Sequence, residues 1–456
     1  MRRMTTVPAP APPPRLPRDY GMTGLGLLMQ VFGGMWIAFN AIFVITAFQI
    51  PGGANKLMGL AIIVSGIVRS SMHYSAGGKL ATSAPDGWIA TRRYALFGLA
   101  QSLAVAIMVV VMVGSFQMGP TLWIFLALAS WPAMVLVVLR RGSLKQAYEA
   151  AYEGDRPVWP RDRGLHGAGV LMATLGLLGC CFSALLLILI IPQAGTLIKV
   201  GGFTGMVTLA LVALLTVRAI IHFTGGLTGL RAEWVDFITG INRYFTWAMI
   251  SVALFVVWGF TLMASLGGSS LQVLGIGVAL LLLWPASLVG ITKKIPWDMD
   301  DVGAPNGKAV DGGLSALGYL LLALGIYSLV VALAPLMMTG MGGLLGSSLG
   351  AAFAQDLPTW LGIIGSLINL WAGFELATMS ERFKVAGTVY GVVGIGMALY
   401  SAFQMFSMGG GGLGMAGASG LFMYAVVGAQ LALPIMTLWL ANRPLPKVTD
   451  YAEVFE

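Results

Sequence analysis

Arg69 with His73, and Arg218 with His222, are the residues of this chain whose types and spacing are best suited to chemistry. Each pair sits four residues apart in an apolar run, so on a helix the two side chains share one face. Ionisable residues inside a membrane span are costly and mark functional positions by default. Arginine can hold an anion through its planar fork of donors, while histidine can relay a proton or respond to pH. The competing reading is anchoring. Apolar runs at 57–75 and 201–224 put both pairs late in their spans, with Arg69 about 20 Å beyond Lys56. Cations there meet the negative end of the helix dipole and snorkel to lipid phosphates. Gly77 and Gly225 then read as C-caps.

The pairs belong to a motif that recurs. Val68-Arg69-x-x-x-His73-Tyr74-Ser75-x-Gly77-Gly78 returns as Val217-Arg218-x-x-x-His222-Phe223-Thr224-Gly225-Gly226. A third copy is read from Ile368-Asn369-x-x-x-Gly373-Phe374-Glu375, with Asn369 at the arginine position and Gly373 at the histidine position. Glu375 then falls where Ser75 and Thr224 stand, and is expected to face Arg69 or Arg218 as a buried counter-ion. On that reading Glu375→Gln costs more thermal stability than Glu381→Gln.

Two further elements recur in step, at intervals near 150 residues. Pro17-Arg18-Asp19-x-Gly21-x-x-Gly24-x-Gly26 returns as Pro160-Arg161-Asp162-x-Gly164-x-x-Gly167-x-Gly169, and in shortened form as Asp311-Gly312-Gly313. The aspartates suit helix N-caps, and the glycines suit close helix approach. Trp131-Pro132 returns as Trp284-Pro285 and as Leu433-Pro434, each proline eight residues before an inner end: Arg140-Arg141, Lys293-Lys294 and Asn442-Arg443. A shared kinked helix accounts for that spacing.

These elements lie in a chain suited to a bilayer. Mean hydropathy is +0.86 and only 10% of the residues are charged, too few to cover a soluble surface of this size. Twelve apolar runs are long enough to cross about 30 Å of hydrocarbon. They lie near 24–48, 57–75, 94–114, 120–139, 167–192, 201–224, 244–265, 271–291, 313–336, 357–376, 386–407 and 417–441. With the N-terminus inside, twenty-two of the 26 Lys and Arg fall in cytoplasmic segments, Lys56 and Lys199 lie outside, and Arg69 and Arg218 lie within spans. This positive-inside bias explains the formal charge of +8 as orientation and contact with anionic lipids, not nucleic-acid binding.

The fold class expected is an all-α integral membrane protein of about twelve transmembrane helices in three internal four-helix repeats, N-in and C-in. The divisions are a Pro-rich cytoplasmic tail (1–20), repeat units at 21–145, 164–294 and 311–443, cytoplasmic linkers at 146–163 and 295–310, and a C-terminal tail (444–456). The first span starts too late and runs too long for a cleavable signal peptide. Inner loops carry the aromatic and charged residues, and 140–152 reads as a short interfacial helix.

Other chemistry is poorly provided for. Cys180 and Cys181 are adjacent and cannot form a disulfide framework. His166 reads as a loop residue, and no spacing of His, Cys and carboxylates resembles a zinc or iron site. Met337, Met338, Met341, Met405, Met408 and Met415 suit Cu(I) less well than gap filling. Asp298, Asp300 and Asp301 lack the remaining ligands of a calcium loop. Glu375 is the only acidic residue within a span, which counts against ion-coupled transport. No catalytic, metal or cofactor site is assigned, and no cofactor is expected. The first functional expectation is a non-enzymatic scaffold or subunit of a larger complex in a prokaryotic cytoplasmic membrane, with other membrane proteins or further copies of the chain as partners. The alternative is a facilitator or carrier for a small or lipidic solute, and third comes an enzyme acting on lipid. A cavity reaching Arg69 and Arg218 favours the carrier; a solid bundle with both at the headgroups favours the scaffold.

Overall fold

The structure, a computed structural model, describes residues 22–47, 53–82, 84–113, 118–142, 145, 146, 148, 164–231, 234–266, 271–294, 312–338, 357–408 and 418–443. The Pro-rich tail, Asp19, Asp162, Asp311, the Asp298–Asp301 stretch, Met341, Met415 and most of 140–152 lie outside these residues.

Twelve long α-helices account for the regular structure among the described residues: α1 (Thr23–Ala47), α2 (Ala54–Ala81), α3 (Gly87–Val113), α4 (Met118–Leu139), α5 (Leu165–Ile190), α6 (Ala194–Leu230), α7 (Trp234–Leu266), α8 (Leu271–Lys294), α9 (Gly312–Met338), α10 (Leu357–Ala377), α11 (Phe383–Met408) and α12 (Ala418–Asn442). A single 3₁₀ turn, Ile191–Gln193, joins α5 to α6. Each helix matches one apolar run of the sequence. Seven helical stretches are long and apolar enough to cross a membrane, one of them running from Leu165 to Leu230 through α5 and α6. Large apolar side chains such as Ile188, Val200, Phe203 and Phe403 face outward, as lipid-facing surfaces require. The molecule has the make-up of a multi-pass helical membrane protein.

The helices pack in a regular order. α1 lies along α2, α5 along α6 and α9 along α10; α3 lies along α4, α7 along α8 and α11 along α12. Between these groups α4 meets α5, α8 meets α9, and α12 meets α1. In the middle α1, α5 and α9 touch one another. Their first turns are buried on every side, from Leu25 to Met29, Leu165 to Ala173 and Leu314 to Leu322. At this contact small residues let backbones meet: a Cβ on Gly167 would lie 2.7 Å from the Ala316 Cβ and 2.9 Å from the Gly24 carbonyl carbon. His166, expected in a loop, stands in the first turn of α5 and is 1% exposed.

Two helix ends differ from expectation. α2 and α6 do not stop at Gly77 and Gly225 but continue to Ala81 and Leu230. These glycines are contact points, not caps: a Cβ on Gly77 would come within 2.6 Å of the Gln30 backbone nitrogen on α1, and one on Gly225 within 3.5 Å of the Gly240 carbonyl oxygen on α7. The polar, glycine-rich ends of these helices end the apolar runs but not the helices, because neighbouring backbones cover them. The consequence is depth. Arg69 lies twelve residues, about 18 Å, from the end of α2, close to the middle of the helix.

Candidate functional site

The buried motif assembles across three helices. His73 on α2 is 4% exposed and stacks on Tyr94 of α3, with ring centroids 4.2 Å apart and planes 3° from parallel. Trp131 of α4 donates its indole N–H to His73 Nε2 at 3.0 Å. The second group is nearly superposable in its contacts. His222 of α6, 7% exposed, stacks on Tyr244 of α7 at 4.2 Å and 10°. Its Nε2 accepts from the Trp284 indole at 3.2 Å. A ring nitrogen that accepts from an indole is unprotonated, so both histidines act here as neutral acceptors.

The arginines explain the Trp-Pro element. In a helix each carbonyl is paired with the N–H four residues on, and proline has none to give. Pro132 therefore leaves the Leu128 carbonyl without its helical partner, and Pro285 does the same to Leu281. Arg69 donates to the Leu128 oxygen at 2.7 Å, and Arg218 donates to the Leu281 oxygen at 2.6 Å. A proline in the fourth helix and an arginine on the second are thus two halves of one device: a cation on one helix pairs the carbonyl that a proline has freed on another.

Beyond this shared bond the two arginines differ. Arg218 is 9% exposed, donates to the Tyr244 hydroxyl at 3.2 Å, and lies over the Tyr244 ring at 5.3 Å. Its Nε has no hydrogen-bond partner. Arg69 is half-buried and reaches Gln101 Oε1 at 3.0 Å and Ser102 Oγ at 3.4 Å. Neither meets a carboxylate: among the described residues the ion pair found joins Lys79 to Asp86, both exposed, on the α2–α3 turn. Glu375 is not the expected counter-ion. Its carboxylate accepts from the Trp371 indole at 3.2 Å and from the Ser380 hydroxyl, holding the end of its own helix.

Arg69 faces a cavity of about 430 Å³ bounded by α1 to α5. Phe32, Trp36, Phe39 and Trp131 supply aromatic walls, and Asn40, His73 and Gln101 join Arg69 as polar contributors. Thr174 of α5 lines the same space; it is 8% exposed, and its hydroxyl has no hydrogen-bond partner. A mostly apolar pocket of this size with a few convergent polar groups is the usual form of a small-molecule site.

The third motif is displaced by one helical turn from its expected register. Gly77 and Gly373 make the same approach, each bringing its backbone against the first helix of its group, at Gly26 and Gln30 or at Gly318 and Leu322. Counting back from Gly373 puts Asn369 at the histidine position and Gly365 at the arginine position. Tyr390 then falls 21 residues after Asn369, as Tyr94 falls after His73. Asn369 is 8% exposed, and its Oδ1 has no partner. A second cavity, of about 550 Å³, lies here between α9, α10, α11 and α12.

The structure thus sets Arg69 and His73 on the lining of one cavity, packs Arg218 and His222 each against Tyr244, gives Glu375 partners on and just beyond its own helix, and sets Asn369 at a cavity wall. Sequence reading missed Tyr94, Tyr244, Gln101 and Thr174, and treated the Trp-Pro and Arg-His elements as unrelated. A tyrosine recurring 21 or 22 residues after each histidine was the available signal. No protein-family model, characterised relative or solved structure matches the chain.

Proposed function

We propose that this protein is a non-enzymatic carrier or facilitator for a small or lipidic solute bearing an anionic group, bound in the cavity between α1 and α5. One observation carries the reading: Arg69, a cation near the middle of a membrane helix, borders that cavity with no carboxylate partner among the described residues. An unneutralised charge in low dielectric is expensive, and a bound anion offsets that cost. The aromatic walls accept the apolar part of the same molecule, and the Thr174 hydroxyl can donate to its head.

In this reading the chain is three four-helix repeats about a pseudo-threefold axis, N-in and C-in, in a prokaryotic cytoplasmic membrane, with basic inner loops resting on anionic lipids. The recurring helix pairings and the meeting of α1, α5 and α9 support the repeat, and the inward bias of Lys and Arg supports the orientation. The scaffold or complex-subunit reading has one observation in its favour. Both arginines already serve as braces to freed carbonyls, a role that needs no ligand.

Native mass spectrometry of the tagged protein, extracted gently from its host, separates the two. The carrier reading expects a single chain or homo-oligomer that retains a small acidic molecule or lipid, lost on Arg69→Gln. A protein partner at fixed stoichiometry, with no such molecule, overturns it in favour of the scaffold.

A further inference from the structure

The cavity between α9, α10, α11 and α12 differs from the first in its chemistry as well as its place. At the positions of Arg69, His73 and Trp131 this group carries Gly365, Asn369 and Leu433. Three large side chains, one of them charged, are replaced by smaller ones. Met397 takes part of the space: a Cβ on Gly365 would sit 2.4 Å from its sulfur. The remaining space is the cavity of about 550 Å³, and among the described residues no charged one lines it.

Hydrogen-bond acceptors are left over on its walls. Asn369 Oδ1 is buried with no partner. Pro434 removes the N–H that would pair with the Gln430 carbonyl, and Gly365 brings no guanidinium in its place. Ser366, also on the wall, spends its one O–H within the protein, with Gly362 O at 2.7 Å and Ser328 Oγ at 2.9 Å. Asn369 Oδ1 therefore lacks a donor, and a buried acceptor without one is unfavourable. A cationic donor would enter without a counter-charge, because the lining holds no carboxylate. An anion would find no cation on the lining among the described residues.

We propose that this cavity is a second binding site, for an uncharged amphiphile whose head donates a hydrogen bond, such as a hydroxyl- or amide-headed lipidic molecule. Asn369 Oδ1 receives the donor, Tyr390 flanks it, and the apolar remainder of the cavity takes the chain. The site stands apart from the anion-binding cavity beside Arg69, so either can fail without the other.

The test uses the full chain in phospholipid nanodiscs and three photoactivatable probes sharing one diazirine-bearing alkyl chain: an alcohol, a carboxylic acid and an amine. Labelled peptides are mapped by mass spectrometry, with excess unlabelled alcohol as competitor. The alcohol is expected to label α10 and α11 near Asn369, to be displaced by the competitor, and to lose about tenfold in labelling on Asn369→Leu, the loss of one hydrogen bond. Met397→Phe, which fills the cavity from the opposite wall, is expected to abolish the labelling as well, and serves if Asn369→Leu fails to fold. The proposal is overturned if the alcohol does not label α9–α12, if acid or amine labels there as strongly, or if neither variant changes the labelling. Labelling of α1–α4 by the acid reports on the carrier reading alone.

Discussion

The first and third helix groups face the same problem and treat it differently. In α1–α4, Pro132 frees the Leu128 carbonyl and Arg69 pairs it at 2.7 Å; in α9–α12, Pro434 frees the Gln430 carbonyl and Gly365 brings nothing. The first solution places a cation near the middle of α2 and beside a cavity. The third leaves Asn369 Oδ1 buried and unpaired beside a cavity of about 550 Å³ that no charged residue lines among the described residues. The second group, α5–α8, repeats the first solution with the arginine enclosed by Tyr244. The same structural need, the carbonyl left free by a proline, is thus met with a cation in two groups and without one in the third.

That comparison breaks most readily at Arg218. Arg218→Met removes two hydrogen bonds and strands the Leu281 oxygen, and is expected to cost about 2 kcal/mol in reversible unfolding in mixed micelles. Adding Pro285→Ala returns an N–H to that oxygen. The double variant should recover about 1 kcal/mol relative to additivity, within the range of interhelical hydrogen bonds in membranes. Strict additivity means that the arginine is not serving the proline.

Trp284→Phe keeps the ring and loses the donor to His222, and is expected to cost about 1 kcal/mol in the same assay; no change means the indole–imidazole bond carries no weight. In the third group the comparison can be sharpened by construction. Gly365→Arg with Met397→Gln installs the missing cation and an equivalent of Gln101, and should shift photolabelling of α9–α12 from the alcohol probe toward the acid. Retained alcohol preference contradicts the assignment of charge as the source of specificity. The smallest effect belongs to Glu375→Gln, about 0.5 kcal/mol or less, because glutamine keeps an oxygen for the Trp371 indole and its amide N–H can donate to the Ser380 hydroxyl. A loss matching that of Arg218→Met restores the counter-ion.

Much of the fold was legible in the sequence. Each of the twelve helices follows an apolar run, because in a bilayer the backbone can satisfy itself only within a helix, so hydropathy alone decides the element. Helix ends were less legible. Ser75, Gly77, Gly78 and Lys79 read as an exit from the membrane, but α2 passes through them against α1, where small residues are wanted for contact. The Arg–His pairs were legible from spacing, and their depth was not, since depth followed from the misplaced ends. The third motif was misaligned by one turn because Phe374-Glu375 imitates Tyr74-Ser75; the 21-residue interval to Tyr390 was the better guide. Arg69 could have been tied to Leu128 from sequence, by asking which carbonyl Pro132 leaves free. The cavities could not, because each depends on side-chain volumes contributed by four or five helices.

The most direct measurement is an electron cryo-microscopy structure of the protein in nanodiscs made from its own host membrane. The account predicts elongated non-protein density in the α1–α5 cavity, with its head within hydrogen-bond distance of Arg69 and Thr174, and the Arg69–Leu128 bond intact. A cavity closed by its own side chains, or a protein carboxylate against Arg69, contradicts it.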